Sequence, residues 1–280
     1  MRVATFNLHA GVDGWGRPTR AVDHAASLDA DVLIVPELWR AEGGVDLFDD
    51  LARRTAMRGL FVPLARGERV TTGVGGRTWQ PLTAHLRGER GLYFSEHRSL
   101  SAAQRRRRGA HDVERGEWGL GLLTRLPIEE IRAEPLRRLP RERVARAVLV
   151  ARLRLGDQPF HVVAVHGAHL SHGSFRQYRE VRELVAGLED LPIILGGDFN
   201  SWRPPLRLFL PGWRTLVRAR TWPARLPHSQ IDHLLGRGPW RPHGGGATPG
   251  GSDHRALWAD VTLKSGATNR PPGHHQPHHH

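Results

Sequence analysis

Cysteine is absent from the 280 residues of this chain, which excludes a disulfide framework and a thiolate metal site. Lysine is nearly absent, since Lys264 is the one lysine among 41 Lys and Arg residues. Long apolar runs are lacking as well, and none approaches the roughly 20 residues of a membrane-spanning helix. The N-terminal Met1-Arg-Val-Ala-Thr-Phe-Asn7 has neither the apolar stretch nor the small-residue cleavage site of a secretory signal. A cytoplasmic monomer without membrane insertion is therefore expected. No internal repeat is evident.

Positive charge is in excess. The formal net charge of +13 points to a polyanionic partner such as nucleic acid. The near-exclusive use of arginine, beside abundant Ala, Gly and Pro, is also what genome-wide compositional bias produces. Charge alone leaves both readings open.

The hydrophobic 39% is gathered into short runs that read as strands. These are Val3–Phe6, Asp31–Pro36, Leu60–Leu64, Leu120–Thr124, Val144–Leu155, His161–Val165, Ile193–Leu195, Gln230–Leu235 and Ala256–Val261. Helical spacing marks Val45–Met57 and Ser174–Leu188, with Ser174 as the expected N-cap, and another helix begins near Pro18. Residues 66–118 read as an irregular insert, holding Thr72–Arg77, the run Arg105–Arg108, and Trp79 and Tyr93. One domain over 1–264 and a flexible His-rich tail over 265–280 are expected. Two packed sheets flanked by helices suit this order of elements best.

Polar residues able to do chemistry collect at strand ends: Asn7, Glu37, His166, Asp198, Asn200, Asp232 and the pair Asp253-His254. Taken singly, each is an ordinary turn or loop residue. As a set, carboxylates and amides without sulfur suit a hard cation, Mg²⁺ or Mn²⁺. The two histidines add groups that hold or move protons near neutral pH.

Thr5-Phe-Asn7, Pro36-Glu37, Leu120-Gly-Leu-Leu-Thr124, His166, Gly197-Asp-Phe-Asn200, Ile231-Asp232 and Ser252-Asp-His254 follow one another in an order that resembles the endonuclease/exonuclease/phosphatase superfamily. That group includes deoxyribonuclease I, apurinic/apyrimidinic endonucleases, sphingomyelinases and inositol-phosphate phosphatases. The resemblance implies a four-layer α/β sandwich, with two mostly antiparallel β-sheets packed face to face and flanked by helices. It implies that Glu37 is the principal metal ligand with Asn7 beside it, and that Asp253 serves a second metal position. It makes Asp198 the residue that orients or deprotonates water, and Asn200 a holder of a phosphate oxygen. His254 would contact the phosphate, with Asp232 fixing its ring. His166 would be the other catalytic histidine, with His169 as competitor, and Arg146 a phosphate-binding arginine. One departure stands out: Pro36 occupies the place where most members have glutamine. The implied activity is metal-dependent phosphodiester hydrolysis, with a nuclease leading. The alternatives are a phosphodiesterase or phosphatase on small-molecule or lipid phosphates, and a catalytically silent nucleic-acid-binding module.

Overall fold

In chain order, β1 (Arg2–Thr5), α1 (Ala21–Ser27), β2 (Val32–Ala41), α2 (Leu47–Thr55), β3 (Arg58–Val70), β4 (Trp79–Gly88), β5 (Gly91–Glu96) and β6 (Val113–Thr124) come first. The second half contains β7 (Ile128–Leu136), β8 (Arg146–Leu155), β9 (Gln158–His166), α3 (Phe175–Ala186), β10 (Ile193–Asp198) and α4 (Arg203–Phe209). It ends with β11 (Arg214–Thr215), β12 (Asp232–Arg237), β13 (Trp240–Pro249) and β14 (Arg255–Leu263). The structure is a computed structural model that describes residues 1–13, 17–70, 79–88, 91–96 and 113–264. Thr72–Arg77, Arg105–Arg108 and the tail 265–280 lie outside the described residues.

One sheet has eight strands in the order β13-β14-β1-β2-β6-β3-β4-β5, and the other six in the order β11-β12-β10-β9-β8-β7. Alternation along the central strands decides what each face meets, because successive side chains point to opposite sides. On β8, Ala147, Leu149, Ala151 and Leu153 enter the core between the sheets, while Val148 and Val150 pack toward Tyr178, Val181 and Val185 of α3. On β9, Phe160, Val162 and Ala164 face the first core and Val163 and Val165 the second. Ala21, Val22 and Ala25 of α1 and Leu47 and Leu51 of α2 cover the outer face of the larger sheet. The result is the four-layer α/β sandwich. Each fully buried aliphatic or aromatic side chain contributes about 1.5–3 kcal/mol through removal from water. No helix among the described residues is long and apolar enough to cross a membrane.

Each sheet has one parallel pair, β1 with β2 and β9 with β10, and all its other pairs are antiparallel. A parallel pair delivers two C-terminal ends to the same edge. Just past β1 comes Asn7, β2 presents Glu37 beyond its middle, and β9 and β10 end on His166 and Asp198. β12 runs antiparallel to β10 and begins at Asp232, while His254 immediately precedes β14.

One element expected from the sequence is overturned, and another is met in position alone. The ends of the stretch read as an irregular insert, 66–118, are not irregular: β3 continues to Val70, β6 starts at Val113, and β4 and β5 extend the sheet beyond them. These strands carry Gly, Pro and Arg in place of apolar alternation, as strands near a sheet edge often do. Ser174 occupies the N-cap position of α3, as expected, but makes no side-chain capping bond. Its backbone is already helical (φ −55°, ψ −21°), whereas a capping side chain works from an extended residue. Asp46 does cap α2, accepting from Phe48 and Asp49 backbone N–H at 2.9 and 3.2 Å.

Gly197 of β10 is paired with Val165 of β9 and leaves no room for a side chain. Its φ of +138° is a left-handed value, and a Cβ there would lie 1.8 Å from the Val165 carbonyl oxygen. Gly197→Ala is expected to cost about 3 kcal/mol or more. Urea unfolding measures this directly, and an unchanged midpoint would contradict the packing of these two strands.

Candidate active site

The ends of β9, β10 and β12 place His166, Asp198 and Asp232 side by side, since His166 pairs with Asp198 and Asp198 with Asp232. In-register neighbours project to the same face of a sheet, so three functional side chains share one face by construction. The larger sheet brings Asn7 and Glu37 to meet them. The Asn7 carboxamide donates to Glu37 Oε1 at 3.1 Å and to Asp198 Oδ2 at 3.0 Å, joining the two sheets through one amide.

Glu37 reaches this position through a bulge. The β2–β6 register shifts between Val35 and Leu38, and Glu37 has φ +54°. Pro36 has no N–H to give the ladder, so the bulge falls where pairing is already lost. The Pro36 carbonyl instead accepts the Leu8 N–H at 3.0 Å, tying the Asn7 segment to the strand that carries Glu37.

Gly197-Asp-Phe-Asn200 is a turn and a site together. Asp198 Oδ1 accepts the Asn200 backbone N–H at 2.8 Å, closing an Asx-type turn. Asn200 has φ +48°, a conformation asparagine tolerates, and its carboxamide donates to the Gly167 carbonyl at 3.0 Å. Phe199 is fully buried between Tyr178 and His233, and the Tyr178 hydroxyl donates to the Phe199 carbonyl.

His254 Nδ1 lies 2.9 Å from Asp232 Oδ2, and its Nε2 is 3.7 Å from Asp198 Oδ2. His166 Nε2 sits 3.7 Å from both Asp198 Oδ2 and Glu37 Oε1. Electrostatics drive the two rings apart. Burial, then the charges of Arg146 and His254, hold the His166 pKa well below the usual imidazole value. Burial also works against a charged His254, but Asp232, Asp198 and Asp253 overcome it and hold its pKa well above that value. Asp198 is pushed up to about 7, by burial first, with Asp232 adding to the rise and His254 opposing it.

The remaining predicted residues lie around this cluster. Arg146 is buried at the start of β8, its Nη2 3.2 Å from Glu142 Oε1 and its guanidinium 5.4 Å from the centre of the Trp118 ring. Its Nε and Nη1 are buried without a partner. Asp253 stands apart, with Oδ1 3.3 Å from the Ser252 hydroxyl and 3.9 Å from His9 Nδ1. His169 is exposed and turned to its own loop, its Nδ1 2.7 Å from the Ser171 hydroxyl. Trp118, Glu142 and His9 were not singled out from sequence. Trp118 closes over His166 at 5.1 Å between ring centres, yet it sits at the end of a stretch with no strand pattern. Glu142 is buried against Arg146, and only its spacing of four residues from that arginine hinted at the pair.

Two groups of donor atoms lie within 4.8 Å of one another, Glu37-His166-Asp198 and Asp198-Asp232-His254, sharing Asp198. Glu37 Oε2 and Asp232 Oδ1 are buried with no hydrogen-bond partner. A buried unsatisfied acceptor costs about 1–3 kcal/mol, more when charged. An oxygen-preferring divalent cation beside Glu37 removes that cost, so these residues fit such an ion.

The profile of the Endonuclease/Exonuclease/phosphatase family matches residues 4–254, nearly the whole domain. The chain belongs to this family. Its members are generally phosphoester hydrolases that use a divalent metal. Among solved structures, an endonuclease/exonuclease/phosphatase family protein from Leptotrichia buccalis C-1013-b is similar at TM-score 0.63 and 11% identity, covering 94% of this chain and 100% of that one. A mannosyl-6-phosphatase from Bacteroides thetaiotaomicron VPI-5482 is similar at TM-score 0.58 and 14% identity, covering 94% and 100%. TDP2 from D. rerio, complexed with a single-strand DNA product, is similar at TM-score 0.57 and 13% identity, covering 94% and 99%. No curated protein matches the sequence.

The raised Asp198 and His254 pKa values have the same consequence for stability. In metal-free protein Asp198 favours the folded state while protonated, and that contribution falls as pH rises from the unfolded carboxylate value through about 7. His254 extends the loss above the ordinary imidazole value. Mg²⁺ needs the deprotonated carboxylate, so it should raise Tm more at about pH 8 than at about pH 5. Scanning fluorimetry with and without Mg²⁺ tests this, and equal shifts at both pH values would place the cation elsewhere.

Proposed function

We propose that the chain is a divalent-metal-dependent phosphodiesterase whose leading substrate class is nucleic acid, cutting by attack of water on phosphorus. The observation that carries this reading is the buried Asp198 carboxylate, held by Asn7, approached by two histidines and set beside an unpartnered Glu37 oxygen. Glu37, with Asn7 adjacent, would hold Mg²⁺ or Mn²⁺, and Asp253 offers a second position. When bound, such a cation neutralises phosphate charge and makes water easier to deprotonate.

The chain's own groups divide the rest of the work. Asp198, with a pKa of about 7, is suited to orient water and take its proton near neutral pH. His254 uses Nδ1 on Asp232 and keeps Nε2 for a phosphate oxygen, as a cation that balances charge growing in the transition state. Asn200, whose carboxamide is oriented by its bond to the Gly167 carbonyl, and Arg146, with two buried nitrogens lacking a partner, would contact the same phosphate. The low pKa of His166 keeps that ring neutral, so it adds no charge between Glu37 and Asp198. No covalent enzyme intermediate is required.

The net charge of +13 favours nucleic acid over a small phosphate ester. A phosphatase or phosphodiesterase acting on a small-molecule or lipid phosphate is the second reading, because a sugar phosphatase and a DNA-bound protein share this fold. The intact acidic and histidine set weighs against a silent binding module.

Asp198→Ala and His254→Ala are each expected to lower kcat at least about 10²-fold without unfolding the protein. Cleavage of plasmid and single-stranded DNA in Mg²⁺ or Mn²⁺ is the readout, with a bis-aryl phosphodiester as the small substrate. Hydrolysis of the aryl ester alone, with DNA and RNA intact, would remove nucleic acid as substrate. Unchanged rates in both variants would remove the site. Calorimetric Mg²⁺ titration of Glu37→Ala should show weakened binding, and binding equal to wild type would take Glu37 out of the metal site.

A further inference from the structure

The segment between the Asp198 turn and Asp232 contains no acidic residue. Residues 199–231 hold six arginines, Arg203, Arg207, Arg214, Arg218, Arg220 and Arg225, and no Asp or Glu. Among the described residues none of the six is ion-paired to a carboxylate, whereas fourteen other arginines are. Arg207, Arg218, Arg220 and Arg225 are exposed. Arg203 and Arg207 line one surface hollow beside Trp213, with no carboxylate among its lining residues, and the charges of Arg207 and Arg218 add to burial in lowering the Arg203 pKa. Like charges concentrated without acids cost stability unless a polyanion neutralises them.

Among the described residues, the same segment carries the exposed tryptophans. Trp202 is 55% exposed and Trp222 37%, with Leu226 at 78%. The two indoles belong to one connected set. Trp202 Nε1 donates to the Ser229 hydroxyl at 3.3 Å, that hydroxyl lies 2.8 Å from His228 Nδ1, and the His228 ring meets Trp222 edge-on at 5.5 Å. The set is anchored to the catalytic cluster at both ends. Trp202 is two residues beyond Asn200. Beside Trp222, the Thr221 hydroxyl accepts the Asp232 backbone N–H at 3.3 Å, and the Ala224 N–H donates to the Asp253 carbonyl at 2.7 Å.

We infer that residues 202–228 form the platform for a single-stranded nucleic acid beside the scissile phosphate, with bases on Trp202 and Trp222 and backbone phosphates on Arg203, Arg207 and Arg218. The inference rests on the phosphodiesterase reading above and gives that site its substrate. Stacking on an exposed indole needs a free base face, which a single strand offers and a duplex interior does not. The arginines supply attraction that does not depend on sequence.

The test uses the full chain with Mn²⁺, a short single-stranded DNA, the corresponding duplex and a bis-aryl phosphodiester. Trp202→Ala and Trp222→Ala should each raise KM for the single strand at least about 5-fold, and Trp202→Phe should recover most of that loss. Arg207→Gln combined with Arg218→Gln should flatten the salt dependence of single-strand KM by about 1.4 in log–log slope. Aryl-ester hydrolysis should stay at wild-type values in all of these variants. Single-strand cleavage with unchanged KM and salt slope in the variants would overturn the platform and leave the nuclease reading standing. Equal KM for duplex and single strand would also overturn it. Aryl-ester hydrolysis by wild type without any cleavage of the oligonucleotide would overturn the nuclease reading itself. So would binding of anionic vesicles, seen as a blue shift of tryptophan emission, without binding of the oligonucleotide.

Discussion

Crowding of carboxylates inside the protein is the constraint on which the rest of the structure depends. Glu37, Asp198 and Asp232 converge within a few ångströms of two histidines, with Asp198 and Asp232 almost wholly out of water and Glu37 partly so. Burial and the charge of Asp232 both oppose ionisation of Asp198. The fold answers with one neutral bridge and one cation: the Asn7 amide spans Glu37 and Asp198, and the His254 ring lies between Asp232 and Asp198. Even so, two carboxylate oxygens are left without partners. A divalent cation held beside Glu37 would give those oxygens a partner.

Topology explains why the carboxylates meet. Without β1–β2 and β9–β10 as parallel pairs, Asn7 and Glu37, or His166 and Asp198, would point to opposite ends of their sheets. The chain needs long crossings to make such pairs, and it spends them on α1 in one sheet and α3 in the other. β12 and β14 then return antiparallel, so their first residues arrive where the parallel strands finish. Face-to-face packing of the two sheets does the rest, because the Asn7 carboxamide closes the gap between them.

The central strands and the site were legible in the sequence for one shared reason. Strands buried on both faces read as apolar runs, and their functional residues stand out as polar groups where the run stops, as at His166 and Asp198. Edge elements lack that contrast. β7 carries charges as Ile-Glu-Glu-Ile-Arg, β13 contains three consecutive glycines, and β5 closes the far edge of the larger sheet outside the apolar runs. A strand paired on one side only needs less burial, so its sequence is free to resemble a loop. α4 is short and carries two prolines, which hid it too. At the site, Trp118 and Glu142 escaped notice because their importance lies in what they touch across the fold. His169 illustrates the converse. It follows β9 as closely as a catalytic residue could, but the turn of the chain carries it outward to Ser171.

The two histidines show how placement assigns chemical roles. Both rings are almost wholly buried, at 1% exposure for His166 and 5% for His254, so burial depresses the charged form of each. Their pKa values nevertheless move in opposite directions, and the difference lies in their neighbours. His166 has Arg146 near it and no hydrogen-bonded carboxylate, whereas His254 has Asp232 bonded to Nδ1 and Asp198 across from Nε2. Titratable groups pushed apart in this way can divide charge stabilisation from proton removal at a single pH. Asp232 is the residue that makes the division: it starts β12 in register with Asp198, close enough to raise that carboxyl, while its other contact keeps His254 charged. One aspartate at a strand end therefore raises the pKa of Asp198 and of His254 together, and neither can be altered there without altering the other.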